Sequence, residues 1–247
     1  MVSREGRCGV SRTRSLGKEY EIAIKEDKKN HLFCMDFNKS GQYFAVAGKE
    51  PKIMVYDDCT RKLLTELDAV GSKMAGHTNR IFSVKFDPNS NNLLCSGGWD
   101  SNVYFWDIRD KKSISHIFGP YIGGDGLDIF GDQLLTASAR TKDALQLWDI
   151  RKNELLETLD WNDGLSSAKE GSSLFCAQFS KANGDYIVAG GSDRNMAKVF
   201  DTRNMRVIAA FDDFEKPCLV VDSSYDGLMF LMGSGEGKVR IKNMISE

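Results

Sequence analysis

The sequence predicts an all-β fold, a β-propeller of four-stranded antiparallel blades. Three observations lead to this prediction: short strand-like segments recur at intervals of about 40–50 residues, clusters of Gly, Asn, Asp, Pro and Ser separate them, and no segment shows the 3.6-residue period of an amphipathic helix. The segments group into five blades, at about residues 31–67, 77–118, 119–160, 172–212 and 214–245.

An aromatic residue followed by aspartate marks the third strand of the first four blades. Alternating apolar residues precede each pair, which is typical of a half-buried strand. The pairs are Tyr56-Asp57, Trp106-Asp107, Trp148-Asp149 and Phe200-Asp201. In the fifth blade Lys242-Asn243 lies in the same frame, and the chain ends shortly after this third strand.

The first strand of three blades repeats a second pattern, read as LFCMDF at 32–37, IFSVKF at 81–86 and LFCAQF at 174–179. Phe33, Phe82 and Phe175 recur in phase within it. First strands line the central channel of a propeller. The three rings therefore either converge at one channel mouth or pack between blades, and the sequence leaves both interpretations open.

These patterns resemble the WD-repeat family over roughly residues 19–247. In that family a His before the first strand, a Ser or Thr in the second, an Asp in the following turn and the Trp of the third form a hydrogen-bonded set. The matching residues here are His77, Ser96, Asp100 and Trp106. The resemblance implies that this set is structural rather than a Ser/His/Asp hydrolase triad, since a buried indole and imidazole need polar partners.

The number of blades leaves two alternatives, because the family mostly builds seven. The chain is either a closed five-bladed ring or a shortened seven-bladed propeller. Residues 1–18 are predicted to be a disordered basic leader, and 19–247 the propeller. The strand-like residues 18–24 are a candidate fourth strand for the last blade, which would join the two chain ends.

Composition and charge exclude several classes of site. The formal net charge is −2, and because the leader is basic, the predicted disc is mildly acidic. The six cysteines form no CxxC motif or Cys/His cluster, so we expect no metal and no cofactor. No apolar run is long enough to span a membrane, and we expect a cytoplasmic or nuclear protein.

Candidate binding residues lie in the loops before the first strands, at the start of those strands, in the turns beside them and in one long linker. Trp99 is the most distinctive, because a large aromatic side chain in a tight turn fits partner contact, although local packing is the alternative. Trp161, in the long linker 161–171, is a candidate anchor, with a plain solvated insertion as its alternative. The full set is Trp99, Arg80, Phe82, Phe33, Phe175, His31, Lys49 and Trp161.

The function predicted from the sequence is a non-catalytic scaffold or adaptor in a larger complex. Its partners would be proteins or peptides, including basic or arginine-containing ones, because the disc is acidic and phenylalanine rings attract cations. One alternative is a nucleic-acid-associated factor that uses the basic leader. A propeller enzyme is the other, which the three histidines and the lack of an activated nucleophile disfavour.

Overall fold

The computed structural model describes residues 30–69, 75–161, 172–192 and 195–243. Over these ranges the chain forms five antiparallel sheets and no α-helix, so the all-β fold class and its blades are confirmed. In the same ranges no helix is long and apolar enough to cross a membrane. The predicted leader 1–18 and the predicted closing strand 18–24 lie outside the described residues.

Each sheet is one blade, and its strands are adjacent in the order of the chain. Blade 1 contains β1 (Leu32–Phe37), β2 (Tyr43–Gly48), β3 (Ile53–Asp57) and β4 (Leu63–Leu67). Blade 2 contains β5 (Ile81–Phe86), β6 (Leu93–Gly98), β7 (Asn102–Asp107) and β8 (Lys112–Phe118). Blade 3 contains β9 (Leu127–Phe130), β10 (Gln133–Ala137), β11 (Leu145–Asp149) and β12 (Glu154–Leu159).

The last two blades continue the same order. Blade 4 contains β13 (Leu174–Phe179), β14 (Tyr186–Gly191), β15 (Ala197–Asp201) and β16 (Arg206–Phe211). Blade 5 has three strands within the described residues, β17 (Cys218–Ser223), β18 (Met229–Ser234) and β19 (Val239–Asn243). Its outermost strand leaves Val239 and Ile241 exposed.

The hydrophobic core lies between consecutive blades. Ile53 and Val55 of blade 1 pack with Ile81, Leu94 and Trp106 of blade 2, and similar clusters join each following pair. Because both faces of a blade are covered, the middle strands are nearly continuous apolar runs, whereas the outer strands alternate. The first strands of successive blades contact one another, which places them at the axis.

A β-bulge interrupts the first strand of four blades. In β1 the register shifts between Leu32 and Cys34, so Phe33 is the extra residue. The corresponding shifts leave Phe82 in β5, Phe175 in β13 and Leu219 in β17. A bulged residue has no direct partner in the ladder, and its side chain is re-aimed. The side chains of Phe33, Phe82 and Phe175 therefore do not follow the two-residue alternation by which the other strand residues pack between blades.

A second bulge recurs in the outermost strand of the first four blades. Register shifts between the third and fourth strands leave one extra residue in each outer strand. These residues are Leu64, Ile114, Leu156 and Ile208, and all four are exposed. The same device therefore places one apolar side chain per blade on the outer rim.

Two aspartates tie neighbouring blades together at the axis. The Oδ2 atom of Asp36 accepts a hydrogen bond from the backbone N–H of Phe86 at 2.7 Å, and that of Asp128 accepts one from Phe179 at 2.8 Å. Burial raises the pKa of Asp128 to about 6, although the Lys85 charge and the Phe179 N–H act in the opposite direction. Each carboxylate links one blade to the next, and its removal from water disfavours its charged form.

Asp128 is expected to make stability rise as the pH falls. Its pKa is about 6 in the folded chain and roughly 4 in an unfolded chain, so the native state binds the proton more tightly. The free energy of unfolding of the wild type should therefore increase relative to that of Asp128→Asn between about pH 7 and pH 4. Urea titrations at several pH values measure this difference. Parallel pH profiles for the two proteins would contradict the assignment.

Candidate functional site

One repeated backbone hydrogen bond defines a common end of the five blades. In each blade the N–H of a residue one or two positions after the second strand donates to the carbonyl oxygen of a residue before the first strand, at 2.8–3.1 Å. The donor and acceptor residues are Lys49 and His31, Trp99 and Arg80, Ala139 and Tyr121, Ser192 and Ser173, and Gly235 and Pro217. We call this end the loop face.

The loop face is chemically asymmetric. Blades 1 and 2 present His31, Lys49, Arg80 and Trp99 there, and blade 3 adds Tyr121. The equivalent positions of blades 4 and 5 hold only serine, proline and glycine. The recurring position is thus filled by large, charged or aromatic side chains on one half of the face.

Four aromatic rings form a continuous stack across this half. The ring centroids of Phe33 and Phe82 are 4.8 Å apart, those of Phe82 and Trp99 4.9 Å, and those of Trp99 and Tyr121 6.3 Å. We call these four residues the aromatic row. The guanidinium carbon of Arg80 lies 5.0 Å from the centroid of the Trp99 ring, a cation–π geometry that fixes the indole.

The sequence left open whether these aromatic side chains pack within the fold or face a partner, and the aromatic row does both. Its rings pack against one another between blades, and they also stay accessible: Phe33 is 41% exposed, and Phe82, Trp99 and Tyr121 are partly exposed. The bulges in β1 and β5 explain this position, since they turn Phe33 and Phe82 out of the ladder. His31 and Lys49 are exposed on the same face of blade 1.

Phe175 approaches the row from blade 4, on the other side of Gly123. A Cβ atom added to Gly123 would lie 3.2 Å from Ala139 Cβ, 3.7 Å from Trp99 Nε1 and 3.8 Å from Phe175 Cδ1. We call this space between the two rings the Gly123 notch. Sequence reasoning missed Tyr121 and Gly123, because β9 is short and unbulged and blade 3 has no in-phase phenylalanine. The available signal was the cluster of three glycines, Gly123, Gly124 and Gly126.

The predicted polar set in blade 2 forms a hydrogen-bonded chain beneath the loop face. Trp106 Nε1 donates to Ser96 Oγ at 2.8 Å, Ser96 Oγ lies 2.8 Å from His77 Nε2, and His77 Nδ1 lies 2.8 Å from Asp100 Oδ2. With the proton on Nδ1, each group donates to the next. Asp100 also accepts the N–H groups of Thr78 and Asn102, so the chain joins the start, the turn and the third strand of the blade.

The environment of Asp100 favours its charged form. Burial acts to raise the pKa of Asp100, but the hydrogen bond from His77 and the backbone N–H groups of Thr78 and Asn102 outweigh it, so the pKa lies below the usual value. Blade 3 retains a shorter version, in which Trp148 Nε1 donates to Thr136 Oγ1 at 3.1 Å. The complete chain in blade 2 holds the turn that carries Trp99.

Trp161 lies in the core rather than on the surface where the sequence placed it. It is 5% exposed, and its ring packs 6.1 Å from that of Phe200. The ammonium group of buried Lys198 donates to the Trp161 carbonyl oxygen at 2.6 Å and lies 5.2 Å from the ring centroid. This position corrects the expectation of a binding anchor at Trp161, since its side chain packs against blade 4 instead.

Ionizable side chains concentrate at the axis below the Gly123 notch. Asp125 Oδ1 accepts a hydrogen bond from Ser83 Oγ at 3.0 Å, and Lys85 Nζ lies 3.3 Å from the same oxygen. Across the described ranges, no group of three or more His, Cys, Asp or Glu side chains is arranged to hold a metal ion. The cysteines of the described residues are free thiols, and Cys95, Cys176 and Cys218 are buried.

Comparison with known protein families identifies one repeat directly. Residues 69–107 match the family model described as "WD domain, G-beta repeat". This segment contains all four residues of the His77 chain, together with Trp99 and the aromatic-Asp pair of blade 2. The repeat that retains the full hydrogen-bonded set is thus also the one that the family description recognizes.

Several curated proteins are similar to longer parts of the chain. The Arabidopsis thaliana E3 ubiquitin-protein ligase COP1 is 26% identical over 129 residues, 52% of this chain and 18% of the relative. Autophagy-related protein 16 from the same plant is 25% identical over 241 residues, 92% of this chain and 39% of the relative. The Drosophila melanogaster small ribosomal subunit protein RACK1 is 26% identical over 173 residues, 67% of this chain and 52% of the relative. The matches therefore span only part of each relative's length.

Proposed function

Because this chain is a WD-repeat protein, we propose that it is a non-catalytic scaffold that binds other proteins or peptides through the loop face of blades 1–3. The observation that carries this proposal is the aromatic row, a partly exposed stack of Phe33, Phe82, Trp99 and Tyr121 with Arg80 against it. Tryptophan, tyrosine and arginine are the residues enriched at interface hot spots.

The position of the row supports the proposal. The rings are held by packing between blades, so little side-chain entropy is lost when a partner covers them. The row lies on one half of the loop face, whereas the recurring positions of blades 4 and 5 hold only serine, proline and glycine. A rigid, partly exposed aromatic surface suits the docking of a peptide or a loop.

The buried His77 chain supports a non-catalytic role. Ser96 and His77 are 0% and 2% exposed, and Ser96 Oγ already accepts the Trp106 N–H. A nucleophilic serine must reach its substrate and must pass its proton to an accessible base. Ser96 meets neither requirement, so we assign these residues to folding.

The partners we propose are members of a larger complex, and they include basic or arginine-containing peptides. The acidic balance of the chain beyond residue 18 favours such partners. Two relatives are named for assemblies, the small ribosomal subunit protein RACK1 and the ribosome biogenesis protein YTM1 of Scheffersomyces stipitis. We propose the cytoplasm or the nucleus as the place of action.

Alanine substitutions in the aromatic row test this function, because they should reduce the amount of partner that the protein captures. Affinity capture with quantitative mass spectrometry should show at least about tenfold less co-purified partner for Phe82→Ala and Trp99→Ala. Phe118→Ala is the matched control, because Phe118 belongs to the same blade, is 75% exposed, and lies on β8 outside the row. Equal capture by all three variants and the wild type would reject the aromatic row as the binding surface.

A further inference from the structure

We propose that the buried thiols of Cys176 and Cys218 form a reversible disulfide that fastens blade 5 to blade 4 when the protein meets a peroxide. This inference goes beyond the proposed function and does not depend on the aromatic row. It rests on the close approach of the two side chains, on the glycine beside them and on the exposed outer strand of blade 5.

The two cysteines meet across the interface between blades 4 and 5. Cys176 lies in β13 and Cys218 is the first residue of β17, and these two first strands are neighbours at the axis. Cys176 Sγ lies 3.8 Å from the carbonyl oxygen of Cys218 and 3.7 Å from that of Gly190. Both side chains are buried in the core cluster that joins the two blades, so packing holds them side by side.

Gly190 provides the space in which the two sulfur atoms lie together. A Cβ atom added to Gly190 would lie 2.5 Å from Cys218 Sγ and 3.1 Å from Cys176 Sγ. A single methyl group would therefore crowd both sulfurs, and glycine avoids this clash. In a disulfide the sulfurs are about 2.0 Å apart, so the two side chains must turn toward each other within this space.

Blade 1 repeats the first cysteine of the pair without the second. Cys34 follows the bulge of β1 as Cys176 follows that of β13, and its sulfur lies 3.7 Å from the Ala47 carbonyl oxygen. The residue of blade 2 that corresponds to Cys218 is Ile81, which also directly precedes a bulge. Cys34 is therefore an internal control, a cysteine at the same position of the repeat with isoleucine in place of the second thiol.

The two thiols differ in acidity, and this difference sets the order of the reaction. Their mutual hydrogen bond lowers the pKa of Cys218, and the same hydrogen bond together with burial raises the pKa of Cys176. The thiolate is the form of cysteine that reacts with oxidants. Cys218 is therefore the sulfur that attacks the peroxide, and Cys176 is the sulfur that resolves the intermediate.

Hydrogen peroxide oxidizes the pair in two steps. The Cys218 thiolate attacks one peroxide oxygen, the O–O bond breaks, and the departing hydroxide takes up the proton released by Cys218 to form water. The Cys176 sulfur then displaces the hydroxyl group of the resulting sulfenic acid, which leaves with the Cys176 proton as a second water. The two sulfurs lose the two electrons that the peroxide gains.

The peroxide reaches the pair through local opening of blade 5. Within the described residues this blade has three strands, and Val239 and Ile241 of the outermost one are exposed. Segments with much exposed surface open at a lower free-energy cost than the core of the structure does. Once formed, the disulfide joins residues 42 positions apart in the chain and opposes further opening, because it restricts the unfolded chain.

Disulfide mapping of the peroxide-treated full chain tests this inference. Folded protein is treated with submillimolar hydrogen peroxide, the remaining thiols are alkylated, and tryptic peptides are analysed by mass spectrometry without reduction. We expect a cross-linked pair of peptides that contain Cys176 and Cys218, lighter by two hydrogen atoms than the separate peptides and separated again by dithiothreitol. Peptide mapping is needed because Cys59 is exposed and is oxidized independently.

The melting temperature supplies a second readout. Oxidation should raise the Tm of the wild type by at least about 5 °C. Cys34→Ser is the matched control and should retain both the cross-link and the rise in Tm. Cys176→Ala should lose both, and because the rise is measured between the treated and untreated forms of each protein, a lower starting stability of this variant does not affect the comparison.

Three results would each overturn the inference. The first is the absence of the Cys176–Cys218 cross-link, including a sulfinic acid at Cys218 in its place. The second is equally abundant cross-links from either residue to buried Cys95, which would indicate oxidation of unfolded chains. The third is an equal Tm for the oxidized and reduced wild type. The aromatic row takes no part in these measurements, so partner capture by Phe82→Ala and Trp99→Ala still decides the proposed function separately.

Discussion

Replacement of His77 by alanine is expected to lower the free energy of unfolding by about 2–4 kcal/mol. The change removes both contacts of a buried imidazole and leaves Ser96 and Asp100 without their partner. It also removes the ring that packs 4.8 Å from Tyr104. Urea unfolding followed by tryptophan fluorescence measures the loss.

His31→Ala is the matched control for this prediction. His31 is exposed on the loop face and has the same residue type, so its removal should change the free energy of unfolding by less than about 0.5 kcal/mol. Hydrogen exchange adds a local readout, because the indole N–H of Trp106 should exchange faster in His77→Ala. Equal stability of the two variants would show that the hydrogen-bonded chain contributes little.

The contribution of Asp100 should depend on pH in the direction opposite to that of Asp128. The pKa of Asp100 is lowered in the folded chain, so its stabilization is present above the unfolded value of roughly 4 and is lost as the pH falls through the folded pKa. The stability difference between the wild type and Asp100→Ala should therefore shrink below about pH 4. The same urea titrations test this change.

Substitution of Gly98 by alanine is expected to destabilize the protein by about 3 kcal/mol. An added Cβ atom would lie 2.1 Å from the carbonyl oxygen of Arg80, closer than two such atoms can approach, so backbone must move. Gly48 and Gly191 occupy the equivalent position in blades 1 and 4, at 1.9 and 2.3 Å from the carbonyl oxygens of His31 and Ser173. Calorimetry measures the effect as a lower Tm.

A second glycine on the loop face provides the comparison for Gly98. In Gly235→Ala the nearest atom to the added Cβ would be Lys216 Cβ at 3.5 Å, an ordinary contact. We expect this variant to stay within about 1 kcal/mol of the wild type. Gly98→Ala should also reduce partner capture, because Arg80 and Trp99 adjoin the clash. A wild-type Tm for Gly98→Ala would show that the turn absorbs the methyl group without cost.

The fold was predictable because its signals are local and repeated. Period-two alternation and the aromatic-Asp pairs mark the strands, and the turn clusters mark where the chain reverses. The hydrogen-bonded set of blade 2 was also predictable, since His77 and Trp106 have polar groups that must be satisfied when buried.

The geometry of the site was less predictable, because it depends on contacts between blades. A bulge adds one residue without changing the apparent alternation, so the stacking of Phe33 on Phe82 has no signature in either strand alone. The Gly123 notch requires blades 2, 3 and 4 together. Trp161 was misplaced because its burial depends on packing with Phe200 and the core cluster between blades 3 and 4, which the sequence pattern did not indicate.

In four blades, the bulge in the first strand separates the residues that pack the blades from one residue that is free of that packing pattern. The neighbours of the bulged residue obey the alternation that packs one blade on the next, whereas the bulged residue itself is exempt from it. Phenylalanine in blades 1, 2 and 4 and leucine in blade 5 show that the exempt position tolerates different side chains. Under the proposed function, mutation of this one residue per blade would change the choice of partner while the residues that pack one blade on the next stay the same.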